Sequence, residues 1–204
     1  MVEARPMANP YGDVELDPRG MRALAHPVRL AILSRLQSDG PSTATALAPL
    51  VGATPSVTSW HLRHLAEHGL VRDADVEADG RQRWWEAVGT GFRFTATDQA
   101  SLDAASLLGR TMMEQAADLP ERWAREVEPL LEVEWRRSAG LSNTTVEVTA
   151  DELAEVEAAI ERLLAPYVLR KGSARRPPGA RRVRMMRYVL PDAPGPEVDR
   201  DDRS

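Results

Sequence analysis

None of the 204 residues is cysteine. That excludes disulfide frameworks, thiolate metal sites and thiol redox switches, and it makes the cytoplasm the expected compartment. Long apolar runs are also missing. No stretch approaches the ~20 residues that a bilayer span requires. The opening M-V-E-A-R-P-M-A-N-P-Y-G has no hydrophobic block behind a positive start, so neither a signal peptide nor a membrane partner is expected. Catalytic patterns are scarce as well. There is no nucleophile–base spacing, no glycine-rich phosphate loop and no paired catalytic carboxylates. No catalytic residue, no cofactor and no enzyme activity are therefore expected.

Positive charge is short overall, with a net of −5, but the sum hides segregation. Residues 18–93 hold nine Lys/Arg against seven Asp/Glu, residues 94–170 seven against fifteen, and residues 171–190 seven against none. A phosphate contact acts over about one Debye length, roughly 8–10 Å. Local charge therefore decides whether a polyanion can bind, and the global sign excludes none.

The informative stretch is Thr54 to Gly69, T-P-S-V-T-S-W-H-L-R-H-L-A-E-H-G. It predicts a sharply bounded helix. Thr54 can cap the first turn, Pro55 suits the first helical position, and Gly69 can take the left-handed conformation that ends the helix, with Leu70 folding back. Thr58, Leu62 and Leu65 form a thin apolar seam. The opposite face carries Ser56, Ser59, Trp60 and Arg63, a set suited to the floor of the DNA major groove. The competing reading is an ordinary amphipathic surface helix.

The surroundings weigh on that choice. Residues 1–16 have Gly/Pro breaks and no apolar period, which predicts a loose arm. Asp17-Pro18 caps and starts a helix, and Pro27 starts a second, Val28 to Gln37, with Leu30, Ile32, Leu33 and Leu36 facing inward. A short helix follows from about Ala44 to Val51, capped by Thr43, with Leu47, Leu50 and Val51 inside and Pro49 restricting its end. Two short helices joined at Gly52-Ala53 make a helix-turn-helix. Leu70–Val76 and Arg81–Val88 then alternate like strands around Asp79-Gly80, a hairpin in the position of a wing. Successive strand residues face opposite ways, so only one of Trp84 and Trp85 can pack inward, and Trp85 with Ala87 is the expected one. Arg81 and Arg83 fall where a wing meets phosphate.

Four blocks now carry a resemblance: L-A-H-P-V-R-L-A-I-L (Leu24–Leu33), G-P-S-T-A-T-A-L-A (Gly40–Ala48), T-P-S-V-T-S-W-H-L-R-H-L-A-E-H-G-L-V (Thr54–Val71) and D-G-R-Q-R-W-W-E-A (Asp79–Ala87). In this order and spacing, residues 17–94 resemble the ArsR-type winged-helix repressors. More narrowly they resemble the branch with S-x-H-L-R-x-L in the recognition helix and G-R-x-R-W-W in the wing. The resemblance implies a double-stranded DNA operator contacted by Thr43, Thr54, Ser56, Val57, Ser59, Trp60, Arg63, His64, Arg81 and Arg83. Two departures matter. Ala46 stands where a glutamate often completes a capping box with Thr43, and the cysteines of the metal-sensing branch are absent. His61, His64 and His68 have a spacing that can hold zinc, but a metal there would obstruct DNA reading and no second ligand cluster accompanies them. No metal site is expected. His61 is assigned to the edge of the core, and His64 to phosphate.

Beyond Phe94, a helix over 98–119 carries Leu102, Ala105, Leu108, Met112, Ala116 and Leu119 at three- and four-residue steps. This predicts a homodimer seam, as the resemblance also implies, with packing on its own domain as the alternative. Helical pieces follow at Glu121–Glu128 and Glu132–Ser138. Thr144–Thr149 reads as a strand, Thr149 to about Leu164 as a helix with a Thr149/Glu152 capping box, and Arg182–Leu190 as a second strand. The expected fold class is thus mainly α with a small β-wing, then a long dimerisation helix and a small α/β unit. The boundaries are an arm over 1–16, a winged helix-turn-helix over 17–94, a helical dimerisation region over 95–140, a β-α-β unit over 141–191 and a disordered acidic tail over 192–204. Met112, Met113, Trp123, Trp135, Met185 and Met186 are candidate lining for a small-molecule effector pocket, with simple core filling as the competing reading. The basic run 171–187 reads either as a solvated loop or as added phosphate contacts. The functional expectation is a homodimeric repressor at a palindromic operator, using helix 55–68 in the major groove and wing 77–83 on the backbone. The alternative is a winged-helix protein–protein module without DNA binding.

Overall fold

The computed structural model describes residues 9–76, 82–170 and 177–193. The chain divides into two units, residues 1–174 and 175–204. In the first unit, β1 (Val14–Glu15) leads into α1 (Pro18–Leu24), α2 (Pro27–Asp39), β2 (Ser42–Thr43), α3 (Ala44–Leu47, continued by a 3₁₀ turn over Ala48–Leu50) and α4 (Pro55–Glu67). Then come β3 (Val71–Asp73), β4 (Trp84–Ala87), β5 (Phe92–Arg93), α5 (Gln99–Ala116), α6 (Leu119–Glu126), α7 (Val133–Arg136) and α8 (Ala150–Val168). The fold is mainly helical with a small antiparallel sheet behind a helix-turn-helix, as the sequence predicts.

Local chemistry sets most of these boundaries. The Gly20 N–H donates to the Asp17 carboxylate at 2.7 Å, and Pro18 occupies the first helical position. Leu30, Ile32, Leu33 and Leu36 give α2 a wholly buried face, joined in one core by Met21, Leu24, Leu47, Leu62, Leu65, Leu70, Val71 and Trp85. Each such side chain contributes roughly 1.5–3 kcal/mol by leaving water. Pro49 cannot donate within a helix, and α3 gives way to the 3₁₀ turn at that point. Leu50, expected inside, is exposed in consequence.

The wing has three strands rather than two. β4 pairs antiparallel with β3 (Arg72 opposite Glu86) and with β2 (Ser42 opposite Trp85). A two-residue strand gives no readable alternation, which is why β2 escaped the sequence. Trp85 is buried and Ala87 packs beside it, as expected. The wing tip, including Arg81, lies outside the described residues.

The arm is folded from residue 9 onward, against expectation. β1 pairs parallel with β5. Thr90 donates its hydroxyl to the Tyr11 carbonyl. At Gly89 a Cβ would come within 2.9 Å of the Gly12 carbonyl oxygen, so the two backbones meet where only glycine fits.

The second half departs more. Helix α8 has the predicted Thr149/Glu152 capping box, and it is tied to β5 by an Arg93–Glu161 ion pair at 3.1 Å between two mostly buried side chains. Residues 144–149 and 182–190 form no strand, so the β-α-β unit does not occur among the described residues. Residues 177–193 of the second unit contain no helix or strand. Alternating β-branched sequence is not enough; a strand needs a neighbour to take its backbone hydrogen bonds.

Candidate DNA-reading surface

Helix α4 is held from both ends. Thr54 accepts the Val57 N–H through its hydroxyl at 3.3 Å, and Pro55 follows it. Gly69 stands at φ +66°, and the Leu70 N–H returns to the Leu65 carbonyl at 3.0 Å. Thr58, Leu62 and Leu65 are completely buried, as the seam predicted, and His61 joins them with 5 % of its surface exposed. That burial of one face presents the other. Ser56, Val57, Trp60 and Arg63 are exposed and Ser59 partly so. Arg63 is oriented by its own helix, its Nη1 donating to the Ser59 hydroxyl at 3.0 Å. Trp60 is 53 % exposed yet braced, its ring stacked parallel on His64 at 5.7 Å and edge-on to His61 at 4.9 Å.

Beside this face lies an open groove of about 450 Å³, lined by residues of the β2–α3 start, α4 and the wing: Thr43, Thr45, Ser56, Ser59, Arg63 and Arg83 among them. Arg83 is fixed over the Trp85 ring at 4.0 Å and bonded through Nη2 to Asp73 at 2.9 Å. The pairing holds the Asp73 carboxyl below the usual carboxylate range, chiefly through the Arg83 hydrogen bond.

The structure brings most of the predicted contact residues to one surface, with three adjustments. Thr43 is only 6 % exposed, and its hydroxyl accepts the Ala46 N–H at 3.2 Å. From that nearly buried position it caps α3 at the edge of the groove. Gln82, beside Arg83, lines the groove and was missed, since a polar wing residue carries no motif. Arg81 lies outside the described residues.

The dimer and effector sets fare differently. Helix α5 packs against α1, and Leu108 is fully buried in its own domain with Ala105 packed against the same core. Leu108 is therefore not free for a dimer seam, and Ala105 is only partly exposed. Leu102 and Met112 are exposed, Ala116 and Leu119 half-buried, and the exposed side of α5 also carries Gly109 and Met113. A cavity-lining role does not suit Met112, Met113, Met185 or Met186, all of them exposed, while Trp123 and Trp135 are half-buried. Among the described residues no three His, Cys, Asp or Glu side chains converge as metal ligands, and no helix is long and apolar enough to cross a membrane.

Comparison with known proteins agrees with this geometry. Residues 24–74 match a family model described as a helix-turn-helix domain. The matched segment, about a quarter of the chain, runs from the end of α1 into the residues just after β3. Together the match and the exposed face of α4 support a DNA-binding regulator. No curated protein matches the chain. One similar solved structure is a double mutant of Lactococcus lactis ZitR in apo form, 16 % identical, with a TM-score of 0.32, covering 70 % of this chain and 83 % of that one.

Proposed function

We propose that the chain is a sequence-specific transcriptional regulator of the ArsR type, a homodimeric repressor that reads a palindromic operator in the cytoplasm. One observation carries the reading: the outward face of α4 holds Arg63, already aimed by Ser59, on a helix whose inner face is locked into the core. In the major groove an arginine donates two parallel hydrogen bonds to guanine O6 and N7, and apolar side chains meet the thymine methyl. Arg63 takes the first role, and Val57 and Trp60 the second. Thr54, Ser56 and His64 lie at the rim of this face and Arg83 at the wing, where phosphate contacts fix register without reading sequence. Arg81 extends the wing contact by its place in the sequence.

The exposed side of α5, with Leu102, Gly109, Met112, Met113 and Ala116, is the dimer face in this reading. A two-fold pair would present two copies of α4 to half-sites one helical turn apart, about 34–36 Å. The exposure of Trp60 supports one alternative, a protein–protein module in which that ring anchors a partner. The half-buried Trp84 adds little to it. Selection of bound duplexes from a random DNA pool tests the proposal. A palindromic site with guanine in each half-site is expected, and enrichment of no sequence would overturn it.

A further inference from the structure

All four histidines of the chain stand in one continuous array. The ring of His26, between α1 and α2, lies 4.7 Å from that of His61 on α4. His61 meets Trp60, Trp60 stacks on His64, and His64 meets His68 at 5.1 Å. The array thus runs from the α1–α2 junction through the core to the exposed face of the recognition helix.

Two of the rings have duties that a proton would undo. His26 is the N-cap of α2, its Nδ1 accepting the Val28 N–H at 3.2 Å. An imidazole nitrogen accepts only while unprotonated, and protonation sets a donor against a donor. His61 is almost wholly buried, and its Nδ1 has no hydrogen-bond partner. A charge formed there would lose its hydration with nothing in return. The charged and titratable groups around the pair sharpen the conflict. Arg29 of α2 adds a cation, its Nε donating to the Ala23 carbonyl. On α4, Glu67 pairs with His64 at 3.4 Å at the outer end of the array, next to His68. Helix α5 contributes the neutral Gln115, which donates to the Pro27 carbonyl.

We propose that this array is a proton-operated release device: proton uptake at His26 and His61 uncaps α2, separates it from α4 and lowers affinity for the operator. Burial first, then Arg29 and His64, hold His26 below the ordinary imidazole range; burial, then His26, Arg29 and His64, do the same for His61. The unfolded chain, titrating near the ordinary imidazole value of about 6.5, therefore binds protons that the folded chain refuses. The stabilisation is complete above that value and is lost as pH falls through the lower folded values. The operator effect rests on the DNA-binding reading; the array itself does not.

The test uses the full chain with and without DNA. His26→Asn keeps an N-cap oxygen but cannot titrate. Without DNA, melting between pH 7.5 and 5.5 should show the wild type losing clearly more thermal stability than His26→Asn. With the selected duplex at constant ionic strength, wild-type affinity should fall severalfold by the acid end of the same interval, since each linked proton is worth at most about tenfold per pH unit below the folded value, and His26→Asn should fall distinctly less. Imidazole NMR titration of the wild type needs no variant, and it should place His26 and His61 below the ordinary range. Ordinary titration of both rings, or full acid sensitivity in His26→Asn, overturns the proposal. So does tighter operator binding in acid, the result expected if a phosphate contact by protonated histidine dominated. If no specific duplex binds at pH 7.5, the DNA reading fails, while melting and titration still decide the array.

Discussion

Arg63 is tethered before any DNA arrives, and a pre-oriented side chain loses less rotamer freedom on binding than a free one. Arg63→Ala should cost about 1–3 kcal/mol of specific affinity; wild-type discrimination between operator and scrambled duplex retained in that variant, measured by fluorescence anisotropy, would show that some other residue reads the base. Ser59→Ala removes the tether, and a smaller loss of roughly 0.5–1 kcal/mol is expected. Arg83 is held differently, by Asp73 from one side and Trp85 from the other. Asp73→Asn releases a guanidinium at the groove without adding charge of its own. It should tighten binding to all duplexes alike, and a change confined to the operator would place Arg83 on a base.

Helix α5 has one buried and one exposed face. Leu108 has no exposed surface, so Leu108→Ala leaves a cavity and should destabilise the fold by about 2–5 kcal/mol in urea titrations. Leu102 and Met113 are exposed on the other side, where polar replacements change monomer stability by less than about 0.5 kcal/mol. The double variant Leu102→Glu/Met113→Glu should keep the melting temperature of a dilute sample and sediment as a monomer. A dimer in that experiment would move the interface off α5. Helix α8 depends on its cap: the Thr149 backbone N–H and hydroxyl both donate to Glu152 and hold its carboxyl below the usual range. That contribution is present above the unfolded carboxylate value and lost as pH falls through the folded one. Helical circular dichroism from α8 should decline only in strong acid, and Glu152→Gln should reduce the pH dependence of that decline.

Charge at the scale of the whole chain opposes DNA, yet 25 of its 26 cationic side chains are arginine, Lys171 being the single lysine. Arginine forms planar, paired contacts with guanine and phosphate, so the cation inventory suits recognition more than bulk attraction. Between 50 and 200 mM salt, log affinity for the operator should fall linearly with log salt, with a slope near −0.9 per phosphate neutralised. A flat response would favour the protein-partner alternative and its Trp60 anchor. The acidic stretch 94–170 should oppose non-specific binding, helping the ratio of specific to non-specific affinity.

The reading helix was legible in the chain because its signals are local: Thr54, Pro55 and Gly69 act on adjacent backbone, and the seam of Thr58, Leu62 and Leu65 follows from helical period alone. The identity of the inward tryptophan, Trp85, was legible for the same reason, since strand alternation leaves only one of two neighbours inside. What no local pattern contains is the partner across the fold. Leu108 shares the period of Leu102 and Met112, and only the presence of α1 beside it makes one a core residue and leaves the others at the surface. Thr144–Thr149 and Arg182–Leu190 have strand-like alternation but acquire no ladder, because pairing is decided by what lies alongside. The histidines show both limits at once. Their spacing on α4 is visible in sequence, whereas His26, 35 positions before His61, reaches the array only because α2 and α4 pack together.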